Sequence, residues 1–273
     1  KMSKIIAIAN QKGGVGKTTT TFSLGVALAQ QNKKVLLIDA DPQGDLTTCM
    51  GYYNQDELQN TIGTLMNDTI QDKEVKAEET ILHHKEGIDL IPSNLDLSAL
   101  EMSLVNAMSR EFTLKNAINS IKDKYDYILI DCMPSLGMIT INALACSDKI
   151  VIPVQGEYLA AKGMGHLMQT VSKVHKQINP NLRIGGVLLT LVDKRTNLSK
   201  QVRDTLEENY GQHIKIYDTE IPKAINTAKS TSTGKSIFEF DKNSPVADAY
   251  KNLAKEVLDN ERTKTRNETS KVR

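Results

Sequence analysis

Short apolar runs and longer amphipathic stretches follow one another along this chain. The apolar runs are rich in β-branched residues and predict strands at KIIAIAN, KVLLID, GIDLIPS, YDYILIDC, KIVIPVQ and LRIGGVLLTLVD. The amphipathic stretches predict helices at 17–31, 96–107, 111–123, 138–146, 160–178, 197–209 and 246–259. Strands that are apolar at almost every position suit a sheet buried on both faces. We therefore predict an α/β fold, in which a doubly wound, mostly parallel sheet is flanked by helices.

Two segments lack this pattern. Residues 52–85 are polar and weakly periodic, and we expect small helices that pack over the edge of the sheet. Residues 260–273 have neither aromatic residues nor apolar periodicity, which predicts a flexible polar tail. The chain is therefore interpreted as a single domain at 1–259 followed by that tail.

The composition excludes few classes of protein, but the net charge limits the kind of surface that could bind nucleic acid. The chain has 273 residues, of which 40% are hydrophobic and 25% charged, and its net charge is +1. A surface that binds nucleic acid must therefore be a local basic patch. The three cysteines form no CxxC pair, which favours free thiols. We find no signal peptide and no apolar run of the ~18 residues that a membrane span needs, and we expect a cytoplasmic protein.

The stretch NQKGGVGKTTT carries the clearest chemical signal. It lies between a predicted strand and a predicted helix, where a phosphate-binding loop is found, although the strict motif has a glycine in place of Gln11. Backbone N–H groups of such a loop surround phosphate oxygens, and the helix N-terminus adds the positive end of its dipole. Lys17 is expected to reach the β- and γ-phosphates, and the Thr18 hydroxyl to bind Mg²⁺. The predicted nucleotide-binding residues are Gly13, Gly14, Val15, Gly16, Lys17, Thr18 and Thr19.

Aspartates follow two further predicted strands. Asp39 and Asp41 end KVLLIDAD, and Asp131 ends YDYILID. The carboxyl ends of parallel strands meet at the ligand-binding edge of such a sheet. Asp131 is placed to hold the hydration shell of magnesium, as the aspartate of a Walker-B strand does.

Six segments give the chain a family resemblance. They are KGGVGKTTT, DADPQGDLTT, YILIDCMPSLG, INALACSD, IPVQGEYLA and LLTLVDKRTNL. In their order and spacing, from about Lys4 to Leu258, the chain resembles the ParA/Soj partition ATPases. These belong to the deviant Walker-A class of P-loop NTPases, together with MinD and the nitrogenase iron protein.

The resemblance implies roles for several residues. Lys12 matches a signature lysine that crosses an ATP-sandwich dimer to contact the phosphates of the partner subunit, and Lys17 matches the ordinary Walker lysine. Asp41 matches the carboxylate that orients the attacking water, and Asp131 the Walker-B residue. Met133 departs from the family, which usually has a second proline at this position of the switch segment. ATP and Mg²⁺ are the implied cofactors, with Lys12, Lys17 and Asp41 as catalytic residues.

Basic residues cluster in two further segments. VDKRTNLSKQVRD contains Lys194, Arg195, Lys200 and Arg203, and IPKAINTAKSTSTGKS contains Lys223, Lys229 and Lys235. In the family, residues at the positions of Arg195 and Lys223 contribute to non-specific DNA binding. A second arginine is frequent where this chain has Asn226, which is a departure from the family pattern. The predicted DNA-binding residues are Lys194, Arg195, Lys200, Arg203 and Lys223.

The resemblance implies an ATP-dependent partition protein. ATP drives homodimerisation and binding to nucleoid DNA, and a ParB-type centromere-binding partner stimulates hydrolysis and release. A MinD-like positioning ATPase that binds membrane is the main alternative, but NERTKTRNETSKVR offers only Val272 as a large apolar residue for an amphipathic helix. An electron-transfer or cluster-carrier ATPase needs paired cysteines, and Cys132 alone does not provide them. A small-molecule ligase on the same fold is a further alternative.

Overall fold

Seven strands form one sheet in the computed structural model, which describes the backbone of residues 3–156, 160–193 and 195–270, and their side chains except at 160–163 and 260–270. The strands are β1 (Lys4–Ile8), β2 (Val35–Ala40), β3 (Leu82–His84), β4 (Ile88–Ile91), β5 (Tyr127–Cys132), β6 (Lys149–Gln155) and β7 (Arg183–Thr190). Their order is β3-β4-β2-β5-β1-β6-β7, with β3 antiparallel to β4 and the other pairs parallel. The predicted mostly parallel sheet is confirmed.

Helices connect the strands, as the alternating pattern predicts, and further helices follow β7. They are α1 (Lys17–Ala29), α2 (Asp45–Cys49), α3 (Ile62–Ile70), α4 (Asp96–Leu104), α5 (Thr113–Ala117), α6 (Met138–Cys146), α7 (Ala160–Gln177), α8 (Leu198–Tyr210), α9 (Ile225–Ser232), α10 (Ile237–Phe240) and α11 (Pro245–Ser270). The prediction of one helix at 111–123 is wrong, because α5 covers only 113–117 and the 3₁₀ turns Arg110–Phe112 and Lys122–Lys124 lie at the two ends of the segment. A tertiary contact holds the start of α5, since the Leu114 N–H, which has no acceptor within the helix, donates to Asn142 Oδ1 at 3.0 Å.

The weakly patterned segment 52–85 holds more structure than its sequence indicates. It contains the predicted small helices, as α3 and the 3₁₀ turns Gln55–Glu57 and Ala77–Thr80, and also the edge strand β3. The sequence does not predict β3, because its three residues, Leu-His-His, have no strand periodicity. Pairing with β4, which brings His83 opposite Asp89, fixes this strand.

The sheet is buried on both faces, and alternate strand residues contribute to two separate cores. Ile5, Ile38 and Ile130 belong to the core covered by α3 to α8. Ile6, Leu37 and Leu129 belong to the core covered by α1 and α11. Burial of both sets explains why the strands are apolar at almost every position.

The last helix, α11, continues past its predicted end at 259 to Ser270. Its first half packs on α1, where the fully buried Tyr250 hydroxyl shares a hydrogen bond of 3.2 Å with Thr20 Oγ1. Lys, Arg and Glu in the second half are good helix formers, which extend a helix that packing has already nucleated. The division into one domain at 1–259 and a flexible tail stays a prediction.

Candidate nucleotide-binding site and charged groove

The loop between β1 and α1 has the backbone shape of a phosphate-binding loop. Gly14 and Gly16 have φ angles of +72° and +82°, in the left-handed region that residues with a Cβ rarely adopt. Gly16 is the N-cap of α1, and Lys17 is its first residue. These glycines turn the chain from a buried strand into a helix whose N-terminus faces the loop.

Two polar side chains from outside the motif hold this loop in place. The amide of buried Asn10 donates to the Pro153 carbonyl at 2.7 Å, and its Oδ1 accepts from the Lys12 N–H at 3.0 Å. On the other side, Thr190 Oγ1 donates to the Val15 carbonyl at 2.8 Å. Neither residue is predicted from the sequence to hold the loop. Only their positions in the sequence could have indicated this role, because Asn10 directly precedes the loop and Thr190 ends β7.

Lys17 lies inside the loop, whereas Lys12 is exposed at its rim. Lys17 is only 7% exposed, and its Nζ donates to the Lys12 carbonyl at 3.2 Å. Burial lowers the pKa of Lys17, and the nearby Asp131 carboxylate acts against that shift. The predicted pair of lysines is therefore brought together, with one ammonium buried and the other on the surface.

Asp131 is a buried carboxylate that acts to raise the pKa of this lysine. It is the penultimate residue of β5, which lies between β1 and β2, and it pairs in register with Ile8 and Asp39. The Thr21 hydroxyl donates to its Oδ1 at 3.3 Å, and the nearby Thr18 hydroxyl acts to lower its pKa. Its buried Oδ2 accepts from no donor in the described part of the chain. Burial, followed by repulsion from Asp39, raises the pKa of Asp131.

Asp39 and Asp41 have different environments although one residue separates them. Asp39 is fully buried and accepts from the N–H and hydroxyl of Thr47, at 2.8 and 2.7 Å, and from the Asp41 N–H at 3.2 Å. Burial raises the pKa of Asp39 to about 7 against these hydrogen bonds. Asp41 is half-buried, and its Oδ1 accepts from the Gln43 N–H at 2.9 Å. Burial also raises the pKa of Asp41, while Lys17 opposes the shift. Asp39 thus anchors the start of α2 and leaves Asp41 at the site.

Two of the predicted DNA-binding residues share a surface groove. Arg195 and Lys223 line a groove of about 1300 Å³ between the end of β7 and the start of α11. We name this the 195–223 groove; Asn226, the position where relatives often have an arginine, also lines it. Carboxylates are present too, at Asp193, Asp218, Glu220 and Asp248. The groove is therefore of mixed charge.

Two other predicted DNA-binding residues, Lys200 and Arg203, do not line the 195–223 groove. Lys200 is exposed on α8. Arg203, also on α8, donates to Glu220 Oε1 at 2.9 Å and to the Tyr217 carbonyl at 3.0 Å, with only 21% of its side chain exposed. These contacts give Arg203 a structural role in this conformation. Lys194 lies outside the described residues.

Two findings bear on the alternative functions. The cysteines at 49, 132 and 146 are free thiols, and burial raises the pKa of both Cys132 and Cys146, which keeps these thiols protonated. Across the described ranges, no helix combines the length and the apolar character needed to cross a membrane.

The chain is similar to known proteins over most of its length. The AAA domain family AAA_31 matches residues 3–184. Sporulation initiation inhibitor protein Soj of Bacillus subtilis is 46% identical over 259 residues, covering 95% of this chain and 100% of Soj. Chromosome partitioning protein ParA of Caulobacter vibrioides is 40% identical over 262 residues, covering 95% of each chain. A crystal structure described as cobyrinic acid a,c-diamide synthase from Mycobacterium smegmatis, with bound ADP and magnesium, aligns with a TM-score of 0.83 and 34% identity over 94% of each chain.

Proposed function

The chain belongs to the ParA/Soj family of partition ATPases, and we propose that it is an ATP-dependent DNA partition protein. One structural observation supports binding of a nucleotide phosphate and a metal ion. Buried Lys17 lies inside a glycine loop next to Asp131, whose Oδ2 is buried and has no partner among the described residues. A phosphate group and a metal ion supply what these two side chains lack.

The residues present fit a magnesium ion. Magnesium prefers carboxylate, hydroxyl, phosphate and water oxygens, and usually keeps several waters. The described residues contain no cluster of three His, Cys, Asp or Glu side chains that would hold a metal unaided, so nucleotide phosphates and water complete the coordination. Thr18 would bind the ion directly, and Asp131 through water. When bound, magnesium neutralises charge that develops on the transferred phosphoryl group.

The remaining roles in ATP binding and hydrolysis belong to Lys17, Lys12 and Asp41. Lys17 binds the β- and γ-phosphates, and its burial strengthens that attraction because water screens it less. Asp41 orients the attacking water and accepts its proton. Lys12, exposed at the rim of the loop, reaches the phosphates of a second subunit, as an arginine finger supplied in trans does. Hydrolysis is then possible only in the ATP-bound homodimer.

DNA binding and release follow from that dimer. Dimerisation doubles the number of basic residues that face one duplex, and contacts to phosphate make the binding independent of sequence and sensitive to salt. The protein coats nucleoid DNA in the cytoplasm, and a ParB-type centromere-binding partner stimulates hydrolysis and releases it. Arg195 and Lys223, which line one groove, are the first candidates for the phosphate contacts.

Duplex binding of arbitrary sequence tests this proposal. DNA binding is measured with ATP, with ADP and without nucleotide, at two salt concentrations. Light scattering under the same nucleotide conditions measures dimer formation. We expect tight, salt-sensitive binding with ATP alone, and weaker binding of Arg195→Ala at unchanged ATPase activity. Arg183→Ala is the matched control, because Arg183 is exposed at the opposite end of β7. Equal binding in all three nucleotide states would contradict the proposal, and binding to anionic vesicles in place of DNA would favour the MinD-like alternative.

A second candidate is ATP-dependent amide synthesis. The structure from Mycobacterium smegmatis is described as a cobyrinic acid a,c-diamide synthase, and it aligns over 94% of this chain. The partition proposal is preferred because Soj is 46% identical over its whole length. ATPase assays with cobyrinic acid and glutamine, or with DNA, separate the two. Stimulation by the acid and amide formation would identify a ligase.

A further inference from the structure

Arg195 does not present a free guanidinium to the solvent in this structure. Its Nε and Nη2 donate to the two carboxylate oxygens of Asp193, at 2.9 and 2.6 Å. The Arg195 backbone N–H also donates to Asp193 Oδ1, at 3.1 Å. The pair is thus bidentate and is anchored to the backbone between the end of β7 and the start of α8.

A phosphate needs the donors that Asp193 occupies. A guanidinium binds carboxylate and phosphate in the same way, through two parallel N–H groups on one edge of its planar fork. A DNA phosphate at the Nε–Nη2 edge of Arg195 must therefore displace Asp193. At the remaining edge, the phosphate meets a carboxylate charge a few bond lengths away. Either contact is weaker than one to an unpaired arginine.

Asp193 also affects the second basic residue of the 195–223 groove. Both Asp193 and Lys223 line that groove. Hydrogen bonds from Arg195, with a further contribution from Lys223, hold the pKa of Asp193 well below its usual range. The carboxylate is therefore ionised at any pH at which the protein is used, and it offsets positive charge where the DNA contact is expected.

The exposure of the pair makes the exchange easy. The side chain of Arg195 is 89% exposed and that of Asp193 is 32% exposed. Exposed ion pairs are weak, because water and salt screen them. The high local phosphate charge of a duplex can compete with one carboxylate under these conditions.

We propose that Asp193 is an intramolecular competitor of DNA phosphate that binds the fork of Arg195 and thereby limits the DNA affinity of the protein. The proposal rests on the proposed DNA binding by Arg195. Counting basic residues alone does not reveal this role, because Asp193 weakens the contact that Arg195 makes with DNA phosphate. Low affinity per subunit makes DNA binding depend more strongly on the dimer, in which two copies of the patch act together.

Asp193→Asn tests the proposal in the full chain. Asparagine keeps an oxygen that can accept from the Arg195 backbone N–H, but it removes the charge that binds the fork. We expect DNA affinity in the presence of ATP to rise about two- to fivefold, the range that exposed pairs allow. We also expect the slope of log affinity against log salt to steepen by up to ~0.9, because one more phosphate is neutralised.

Asp218→Asn is the matched control. Asp218 is exposed in the same groove, its removal changes the net charge equally, and its described hydrogen bond joins its backbone to Glu256. Arg195→Ala and the Asp193→Asn, Arg195→Ala double variant complete a cycle, in which the gain should vanish without Arg195. Thermal unfolding and ATPase activity check that each variant folds.

The outcomes separate the two levels of the proposal. If wild type binds DNA and Asp193→Asn gains no more affinity than Asp218→Asn, competition by Asp193 is wrong while DNA binding stands. A gain that persists without Arg195 also refutes it. If no variant binds DNA in any nucleotide state, the proposed DNA binding fails and this inference fails with it.

Discussion

The ammonium of Lys17 donates to the main-chain carbonyl of Lys12 at 3.2 Å, across the glycine turn that separates the two lysines. This contact holds the Lys17 side chain over the concave side of the loop, where a phosphate is expected. An ammonium has three donors, and phosphate oxygens can bind the remaining ones or replace the carbonyl. The same contact joins the residue proposed to bind nucleotide within one subunit to the residue proposed to act on the other.

Lys17→Ala should weaken ATP binding by about 10- to 100-fold, because charge-assisted hydrogen bonds contribute about 1.5–3 kcal/mol. Binding is measured by calorimetry with Mg²⁺ present. Lys73→Ala, which removes an exposed lysine after α3, is the control. Normal ATP affinity of Lys17→Ala would refute the assignment of the phosphate loop.

Lys12→Ala should keep ATP binding by the monomer and lose the ATP-dependent dimer. Partner- or DNA-stimulated hydrolysis should fall about 1000-fold or more, as when an arginine finger is removed. Light scattering and phosphate release measure the two effects, with Lys73→Ala again as the control. An intact dimer with ATP would show that Lys12 does not act across the interface.

Asp41→Ala should bind ATP and form the dimer but hydrolyse ATP about 100-fold or more slowly, the usual contribution of a group that positions and deprotonates water. Asp45→Ala is matched in charge and lies exposed at the start of α2, close to the same site. Single-turnover hydrolysis of the two variants is compared. Equal rates would assign the role of Asp41 to another residue.

Asp39 should make the nucleotide-free protein less stable as pH rises. Its pKa is about 7 in the fold against an ordinary value of 3.8, so the folded chain retains a proton that the unfolded chain has lost. Stability from this group is full below about pH 4 and is lost as pH rises through 7, at about 1.4 kcal/mol per pKa unit. Urea unfolding of wild type and Asp39→Asn across this range measures the difference. A difference that does not change with pH would contradict an ionising Asp39.

Gly234→Ala should destabilise the protein more than Gly87→Ala does. Both glycines have positive φ, +64° and +77°, and alanine in the left-handed region costs about 1–2 kcal/mol. A Cβ at Gly234 would also lie 2.7 Å from the Gly51 Cα, whereas one at Gly87 meets no atom within 4 Å. Overpacking adds about 1–3 kcal/mol in the first case. Equal losses of unfolding free energy in urea would show that the Gly51 backbone moves away from the added Cβ at little cost.

Local sequence predicted the mostly parallel sheet and the glycine loop. Strands buried on both faces are apolar at nearly every position, and a loop that needs left-handed backbone contains glycine at Gly14 and Gly16. These signals are local because each depends on neighbours a few residues away. For the same reason the sequence misses β3, whose pairing partner defines it.

The tertiary structure decided which polar groups meet. Asn10 bonds to Pro153, 143 residues away, and Thr190 bonds to Val15, 175 residues away, and no periodicity encodes such contacts. The register of β2 and β5 places Asp39 beside Asp131. Tertiary contacts also determined which charges are free to act, since Glu220 holds Arg203. The sequence by itself determined that a phosphate loop stands at the carboxyl edge of a parallel sheet. Long-range packing determined how that loop is held and how strongly its charges are screened.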